Sequence, residues 1–233
     1  LLRWMKRDAL PFWADAGLNP KTGLFHERLS TTGEPDWQAP LRMRVQFRQI
    51  YTLSHAAVLG WFPQGASIAL AAWRHLMKAA YAPDGEPGFA HLLSAEARVV
   101  DPRRDSYDHA FAVLAAAWLL RATGDAGVRR TLEELLSFVD EHLTDAHGAL
   151  REGRPNTLPN RQNPQMHWFE AMLALCETDV HASGASRALH HRRFAEERLF
   201  DAGTGMLCEY FSADWQPLAG DQGEVVEPGH LAE

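Results

Sequence analysis

Gly23-Leu24-Phe25-His26-Glu27 is the first of four copies of a short motif, in which a glycine is followed by apolar residues and then by a histidine or a glutamate. The other three copies are Gly88-Phe89-Ala90-His91, Gly148-Ala149-Leu150-Arg151-Glu152 and Gly205-Met206-Leu207-Cys208-Glu209. Successive glycines are separated by 65, 60 and 57 residues. A period of this length is typical of an array of similar supersecondary units.

Between the motifs, apolar residues recur at helical spacing. Three stretches, 42–60, 107–121 and 165–177, are apolar around much of a helical circumference, as buried helices are. Each is followed by a helical stretch with a more polar face, and prolines and glycines cluster in the connections. These second stretches cover roughly 65–80, 127–142 and 185–198. The sequence therefore predicts helical hairpins, each with one buried and one exposed helix.

A ring of such hairpins places the buried helices inside, so the predicted fold is an all-α toroid, with an open solenoid as the alternative. Six hairpins of about 60 residues would need about 360 residues. The chain has 233 residues and four motifs. We therefore expect residues 1–233 to form a single domain that is the N-terminal part of a longer toroid, incomplete at its C-terminal end.

Composition restricts the classes of function. The net charge of −7 argues against a nucleic-acid or anionic-membrane partner, because both favour a basic surface. No apolar run approaches the roughly 18 residues of a membrane span, and no signal peptide opens the chain, so a cytoplasmic location is expected. Cys176 and Cys208 are too few for a disulfide framework, and their apolar neighbours predict buried free thiols.

Two His-x-x-Glu pairs occur near predicted helix starts: His167 with Glu170, and His230 with Glu233. Residues at this spacing share one helix face. The positive end of the helix dipole disfavours imidazolium near His230, which leaves a neutral ring able to accept a proton. An ordinary capped helix start, or a satisfied core histidine, is the structural alternative.

Arg44 and Arg48 lie one turn apart in an otherwise apolar helix, with Tyr51 on nearly the same face as Arg48. A buried arginine cannot be neutralised and needs an acidic partner or a ligand. The structural alternative is an ion pair with Asp105 or Asp108.

His109 lies just inside the second buried helix, after a carboxylate that can cap it. Equivalent residues of successive repeats usually face the same mouth, so Arg48, His109, His167 and His230 are predicted to form one site. No metal signature is present, although a ligand set assembled across repeats remains an alternative. GxGxxG, P-loop and GxSxG motifs are also absent, and no cofactor is expected.

Four segments together resemble the N-acylglucosamine 2-epimerase superfamily, which includes mannose isomerases, N-acylglucosamine 2-epimerases and cellobiose 2-epimerases. The segments are Arg44-x-x-x-Arg48-Gln-Ile-Tyr51, Asp105-x-Tyr107-Asp-His109-Ala-Phe111, Gln162-Asn163-Pro164-x-Met166-His167-x-x-Glu170-Ala171 and Glu227-Pro228-Gly229-His230-x-x-Glu233. The third segment, with Gln162-Asn163-Pro164 followed by Met166-His167, is more similar to the mannose isomerase branch than to the other two.

The resemblance implies an (α/α)6 barrel and a metal-independent isomerase that interconverts an aldose and a ketose, of the D-mannose/D-fructose type, through a cis-enediol by histidine acid–base catalysis. An N-acylglucosamine or cellobiose 2-epimerase is the first alternative. A glycoside-processing enzyme, or an inactive sugar-binding protein on the same toroid, is the second. The expected partner is a monosaccharide substrate, and a homodimer is one assembly compatible with the sequence.

By the same resemblance, His230 is one of two acid–base histidines, Glu233 supports it, and Arg48 holds substrate oxygens and stabilises the enediolate charge. The remaining residues expected to bind substrate are His167, Glu170, His109, Tyr51 and Asn163. The family's second acid–base histidine falls beyond the last residue of this chain. We therefore expect the 233-residue chain, assayed alone, to be inactive or nearly so.

Overall fold

The computed structural model describes residues 1–218. His230 and Glu233, the predicted acid–base pair, lie outside the described residues. Within the described part of the chain, no helix is both long enough and apolar enough to cross a membrane.

Three helical hairpins form the body of the structure, and the predicted pattern of buried and exposed helices is confirmed. The inner helices α3, α5 and α7 pack side by side with α5 in the middle, and the outer helices α4, α6 and α8 pack on α3, α5 and α7 in turn. The α-helices are α1 (Leu2–Trp4), α2 (Leu10–Asp15), α3 (Met43–Val58), α4 (Gly65–Ala80), α5 (Ser106–Thr123), α6 (Ala126–Phe138), α7 (Gln162–Thr178) and α8 (Gly184–Phe194). Short π-helical turns occupy Met5–Ala9, Val139–Leu143 and Ala195–Leu199.

Very short strands line one rim of this helical layer. They form antiparallel sheets in the orders β1-β2-β3, β4-β5, β6-β9 and β7-β8. The strands are β1 (Leu41–Arg42), β2 (Leu92–Leu93), β3 (Val99–Asp101), β4 (Arg104–Asp105), β5 (Gly153–Arg154), β6 (Asn160–Arg161), β7 (Phe200–Asp201), β8 (Met206–Leu207) and β9 (Tyr210–Phe211). Because β1, β4 and β6 each run directly into an inner helix, they hold the N-terminal ends of the three inner helices at this rim.

The core is centred on α5, whose residues 110–120 are all buried. A smaller apolar cluster, which includes Phe194, Phe211 and Trp215, lies beyond α8. Both cysteines are free, as predicted. Cys208 is buried, but Cys176 is exposed, so the prediction of burial is wrong for Cys176.

The motif glycines are required by their backbone conformation. All four have φ between +70° and +94°, a region that side chains with a Cβ rarely adopt. At Gly23 and Gly148, an added Cβ would also collide with a histidine of an outer helix, His75 and His190 respectively. The motif is thus a tight turn over which the next hairpin packs, which explains its recurrence with the hairpins.

Candidate active site

The fourth residue of each inner helix holds the glycine motif in place. Gln46 of α3 accepts a hydrogen bond from the Phe25 N–H and donates one to the Phe25 carbonyl, both at 2.8 Å. Gln165 of α7 makes the same pair of bonds with Leu150, at 3.0 and 2.7 Å. Both glutamines are buried, so these bonds satisfy backbone groups that water does not reach.

His109 is the counterpart of these glutamines in α5. Its Nε2 accepts the Phe89 N–H at 3.1 Å, and its Nδ1 lies 2.7 Å from the Asp105 carbonyl, to which it donates. This pairing fixes a neutral ring with the proton on Nδ1. Burial agrees with it, since desolvation lowers the pKa of His109 to about 4. We call Gln46, His109 and Gln165 the clamp row.

This geometry corrects the expectation that His109 lines the pocket. The ring is 1% exposed, and both of its nitrogens are bound to the backbone. The predicted equivalence of Arg48, His109 and His167 is therefore wrong by two residues in α5. The sixth residues of the inner helices are Arg48, Phe111 and His167, which we call the cleft row.

The cleft row surrounds Tyr107, the second residue of α5. Arg48 donates a hydrogen bond from Nη2 to the Tyr107 hydroxyl at 2.8 Å. The Arg48 guanidinium carbon lies 4.4 Å from the Phe111 ring centroid, and that of Arg44 lies 5.3 Å from the Tyr107 centroid. Two guanidinium groups therefore lie against a wall made of two aromatic rings.

His167 completes this wall from the side of α7. Its ring contacts Tyr107 edge-on, with centroids 4.8 Å apart, and Phe111 at 4.6 Å. Its Nδ1 lies 2.9 Å from Glu170 Oε2, so the predicted contact between the two residues is present. A proton on Nδ1, donated to the carboxylate, leaves Nε2 of the neutral ring as a hydrogen-bond acceptor.

Asn163 and Tyr51 flank the cluster. Asn163, like Tyr107, is the second residue of its helix, and its Oδ1 is buried without a partner among the described residues. The Tyr51 hydroxyl lies 3.2 Å from His55 Nδ1. Burial, and then the charge of Glu170, raises the pKa of the Tyr51 hydroxyl, so it remains protonated near neutral pH.

Tyr107 is the residue of this cluster that the sequence does not single out. The sequence pattern draws attention to the nearby His109 instead. Alignment of the three inner helices by their clamp residues does single out Tyr107. Once Gln46, His109 and Gln165 are aligned, Tyr107 takes the same helix position as Arg44 and Asn163.

A second polar group lies next to the cleft. His91 Nδ1 is 2.6 Å from Asp108 Oδ2 and 3.9 Å from an oxygen of Asp105. Burial raises the pKa of Asp108 to about 6, and the hydrogen bond to Asp108 raises the pKa of His91. Metal-type ligand atoms of these three residues lie within 4.8 Å of one another. We interpret the group as a hydrogen-bonded pair, because Asp105 also caps the Asp108 N–H.

A rim cavity of about 630 Å³ lies outside this cleft and contains three arginines, each paired with a carboxylate. Arg104 is bound to Asp84 at 2.5 Å. The other two pairs are Arg103–Asp101 at 3.3 Å and Arg154–Glu86 at 3.9 Å. The three cations of this cavity therefore already have carboxylate partners.

Comparison with known proteins agrees with the geometry. The family model of N-acylglucosamine 2-epimerase (GlcNAc 2-epimerase) matches residues 23–233. The chain is 32% identical to mannose-6-phosphate isomerase of Rhizobium meliloti (strain 1021), over 100% of this chain and 60% of that protein. It is 30% identical to D-mannose isomerase of Thermobifida fusca, over 72% of this chain and 43% of the relative. The chain thus spans well under two thirds of the length of these relatives.

A solved structure shares the arrangement of helices. Cellobiose 2-epimerase from Spirochaeta thermophila DSM 6192 superimposes with a TM-score of 0.83 at 25% identity, over 94% of this chain and 58% of that chain.

Proposed function

Since the chain belongs to the N-acylglucosamine 2-epimerase family, we propose that it supplies the sugar-binding cleft of an isomerase that interconverts an aldose and a ketose. The substrates proposed are of the D-mannose/D-fructose type, free or phosphorylated, because the two relatives are named for mannose 6-phosphate and D-mannose. The observation that carries this proposal is the cluster of Arg48, Tyr107, His167 and Glu170 on one wall.

We propose that the three described hairpins are successive units of an (α/α)6 toroid and belong to a single domain over residues 1–233. The inner and outer arrangement of the helices and the likeness to the epimerase structure support this interpretation. In such a ring, the rim that carries the N-terminal ends of the inner helices borders a central cleft.

The proposed reaction begins with the open-chain aldose. A base removes the proton on C2, and the electrons of that C–H bond form the C1–C2 double bond of a cis-enediolate, with negative charge on the oxygen of C1. Return of a proton to C1, with transfer of the hydroxyl proton from O2 to O1, gives the neutral ketose. We propose His230 as an acid–base group and Glu233 as its support; both lie outside the described residues. No metal is needed in this scheme.

Arg48 suits the oxyanion of the enediolate. Its guanidinium is half-buried beside Phe111, where the low polarity strengthens its attraction for negative charge. The Tyr107 hydroxyl oxygen accepts a hydrogen bond from this guanidinium and so positions it. The proton of the same hydroxyl remains available for a sugar oxygen.

His167 and Asn163 suit the sugar hydroxyls. With Nδ1 bound to Glu170, His167 offers Nε2 as an acceptor, and this nitrogen can assist ring opening. The buried Oδ1 of Asn163 is a second acceptor, and a bound hydroxyl would satisfy it. Tyr51 is proposed to border the substrate from the side of α3.

Glycoside hydrolysis is less well supported. That reaction needs two carboxyl groups free to flank a glycosidic bond. The two candidates in this chain are committed elsewhere, Asp105 to the cap of α5 and Glu170 to His167.

The test incubates the whole protein that carries this chain with D-mannose and with mannose 6-phosphate in deuterated water, followed by NMR. Deuterium at C1 of a newly formed ketose is expected. Exchange at C2 with only the epimeric aldose formed would move the assignment to a 2-epimerase. Sugar binding without any exchange would indicate a binding protein.

A further inference from the structure

Two arginines of the cleft lack the counter-charge that every other shielded arginine has. Among residues 1–218, five arginines are buried or half-buried. Three of them hold carboxylates at hydrogen-bond distance: Arg104 with Asp84 at 2.5 Å, Arg161 with Glu152 at 2.6 Å and Arg187 with Asp140 at 2.5 Å. The other two, Arg44 and Arg48, form no ion pair within the described part of the chain.

The contacts of Arg44 and Arg48 are neutral. Arg48 donates to the Tyr107 hydroxyl, and Arg44 lies against the face of the same ring. A guanidinium cannot lose its charge in a protein, so partial burial without an anion is unfavourable unless a ligand supplies one. The structural alternative, an ion pair with Asp105 or Asp108, is not found among the described residues.

Nearby carboxylates form no ion pair with Arg44 or Arg48. Asp108 is near enough for Arg44 to favour its charged form, but the carboxylate is bound by His91 at 2.6 Å. Glu170 is similarly bound by His167. Among the described residues, neither carboxylate lies at ion-pair distance from the two guanidinium groups.

One cation is sufficient for the reaction proposed above, because the enediolate develops a single negative charge. A second cation that has no ion-pair partner among the described residues indicates a substrate that carries its own negative group. Arg44 and Arg48 are four residues apart, which is about 6 Å along the helix axis. This separation is of the order of the length of a six-carbon sugar chain.

We propose that the cleft accepts a sugar phosphate, with Arg44 binding the phosphoryl group while Arg48 binds the reacting end. This inference rests on the proposed isomerase function. Guanidinium is well matched to phosphate, because its planar fork donates two parallel hydrogen bonds. The rim cavity is the other place where arginines gather, but Arg103, Arg104 and Arg154 are each already paired there.

The experiment compares mannose 6-phosphate with D-mannose as substrates of the wild-type protein, Arg44→Gln and the matched control Arg103→Gln. We expect the wild type to prefer the phosphorylated sugar. Arg44→Gln should raise KM for mannose 6-phosphate about 10- to 100-fold with little change in kcat, and should raise KM for D-mannose by a clearly smaller factor. Arg103→Gln should alter neither substrate.

Equal losses on both sugars in Arg44→Gln, or a wild type that turns over D-mannose at least as well, would overturn the proposal. Arg44→Lys, which keeps the charge without the fork, should give an intermediate KM and serves if Arg44→Gln does not fold. If the wild type turns over neither sugar, the isomerase assignment fails and titration calorimetry decides the inference. Mannose 6-phosphate binding that Arg44→Gln weakens would support it, and equal binding of both sugars would refute it.

Discussion

The clamp row and the cleft row lie two residues apart on the same three helices but make different contacts. Gln46, His109 and Gln165 are buried and bind the backbone of the glycine motifs. Of the cleft row, Arg48 and His167 bind side chains instead, Tyr107 and Glu170. Two residues correspond to about 200° around a helix, so the rows face opposite sides. One short segment of each inner helix thus holds a glycine motif on one side and carries a residue of the proposed sugar site on the other.

The largest effect expected is on the cleft row. Arg48→Ala should lower kcat/KM for sugar isomerisation by about 100- to 1000-fold, because it removes the cation proposed to stabilise the enediolate. The free energy of unfolding in urea should change little, since Arg48 contributes no bond to the backbone. An Arg48→Ala protein that unfolds more easily while keeping its activity would reverse the roles assigned to the two rows.

Substitutions in the clamp row are expected to lower the free energy of unfolding. His109→Ala should lower the free energy of unfolding by about 2–4 kcal/mol, because it leaves the buried Phe89 N–H unsatisfied and creates a cavity. His109→Gln should lose clearly less unfolding free energy, since glutamine accepts the equivalent backbone N–H in α3 and α7. Denaturant titration of both variants measures this, and equal losses would contradict the shared role.

The pH dependence of stability provides a third way to distinguish the clamp row from the cleft row. His109 has a folded pKa of about 4, below its ordinary 6.5, so the unfolded chain binds the extra proton. The stabilisation it contributes is complete above pH 6.5 and is lost as the pH falls toward 4, by on the order of 3 kcal/mol. Asp108, whose pKa is raised by burial, has the opposite effect on stability between about pH 4 and 6. This effect is the same in the wild type and in His109→Gln, because both contain Asp108. The difference in unfolding free energy between wild type and His109→Gln should therefore shrink on acidification; a constant difference would indicate that His109 titrates normally.

A smaller effect is expected at Tyr107. Tyr107→Phe keeps the ring against Arg44 and His167 but removes the acceptor for Arg48. Loss of one charge-assisted hydrogen bond should reduce kcat/KM about tenfold. Steady-state kinetics test this, with thermal melting as the control for folding. Unchanged kinetics would mean that Tyr107 does not hold Arg48 during the reaction.

The hairpins could be predicted from the sequence because buried and exposed helices differ in apolar periodicity, and the glycine motif marks each unit. The contact of His167 with Glu170 followed from helix geometry alone. The register between repeats did not follow, because a histidine in α5 replaces glutamine as the clamp. A histidine at this position suggests chemistry, so the sequence alone favours His109 over Tyr107 as a site residue. The absence of an ion-pair partner for Arg44 among the described residues also required the structure, since the sequence offered Asp105 and Asp108 as candidates.

The most direct test of the two rows follows the histidine ring nitrogens by ¹⁵N NMR while mannose 6-phosphate or D-mannose is added. The account predicts that the His167 signals shift with saturation, while those of His109 stay at the positions of a neutral ring protonated on Nδ1. A His109 that responds to sugar as strongly as His167, or a His167 that does not respond to a bound sugar, would contradict the assignment of the cleft.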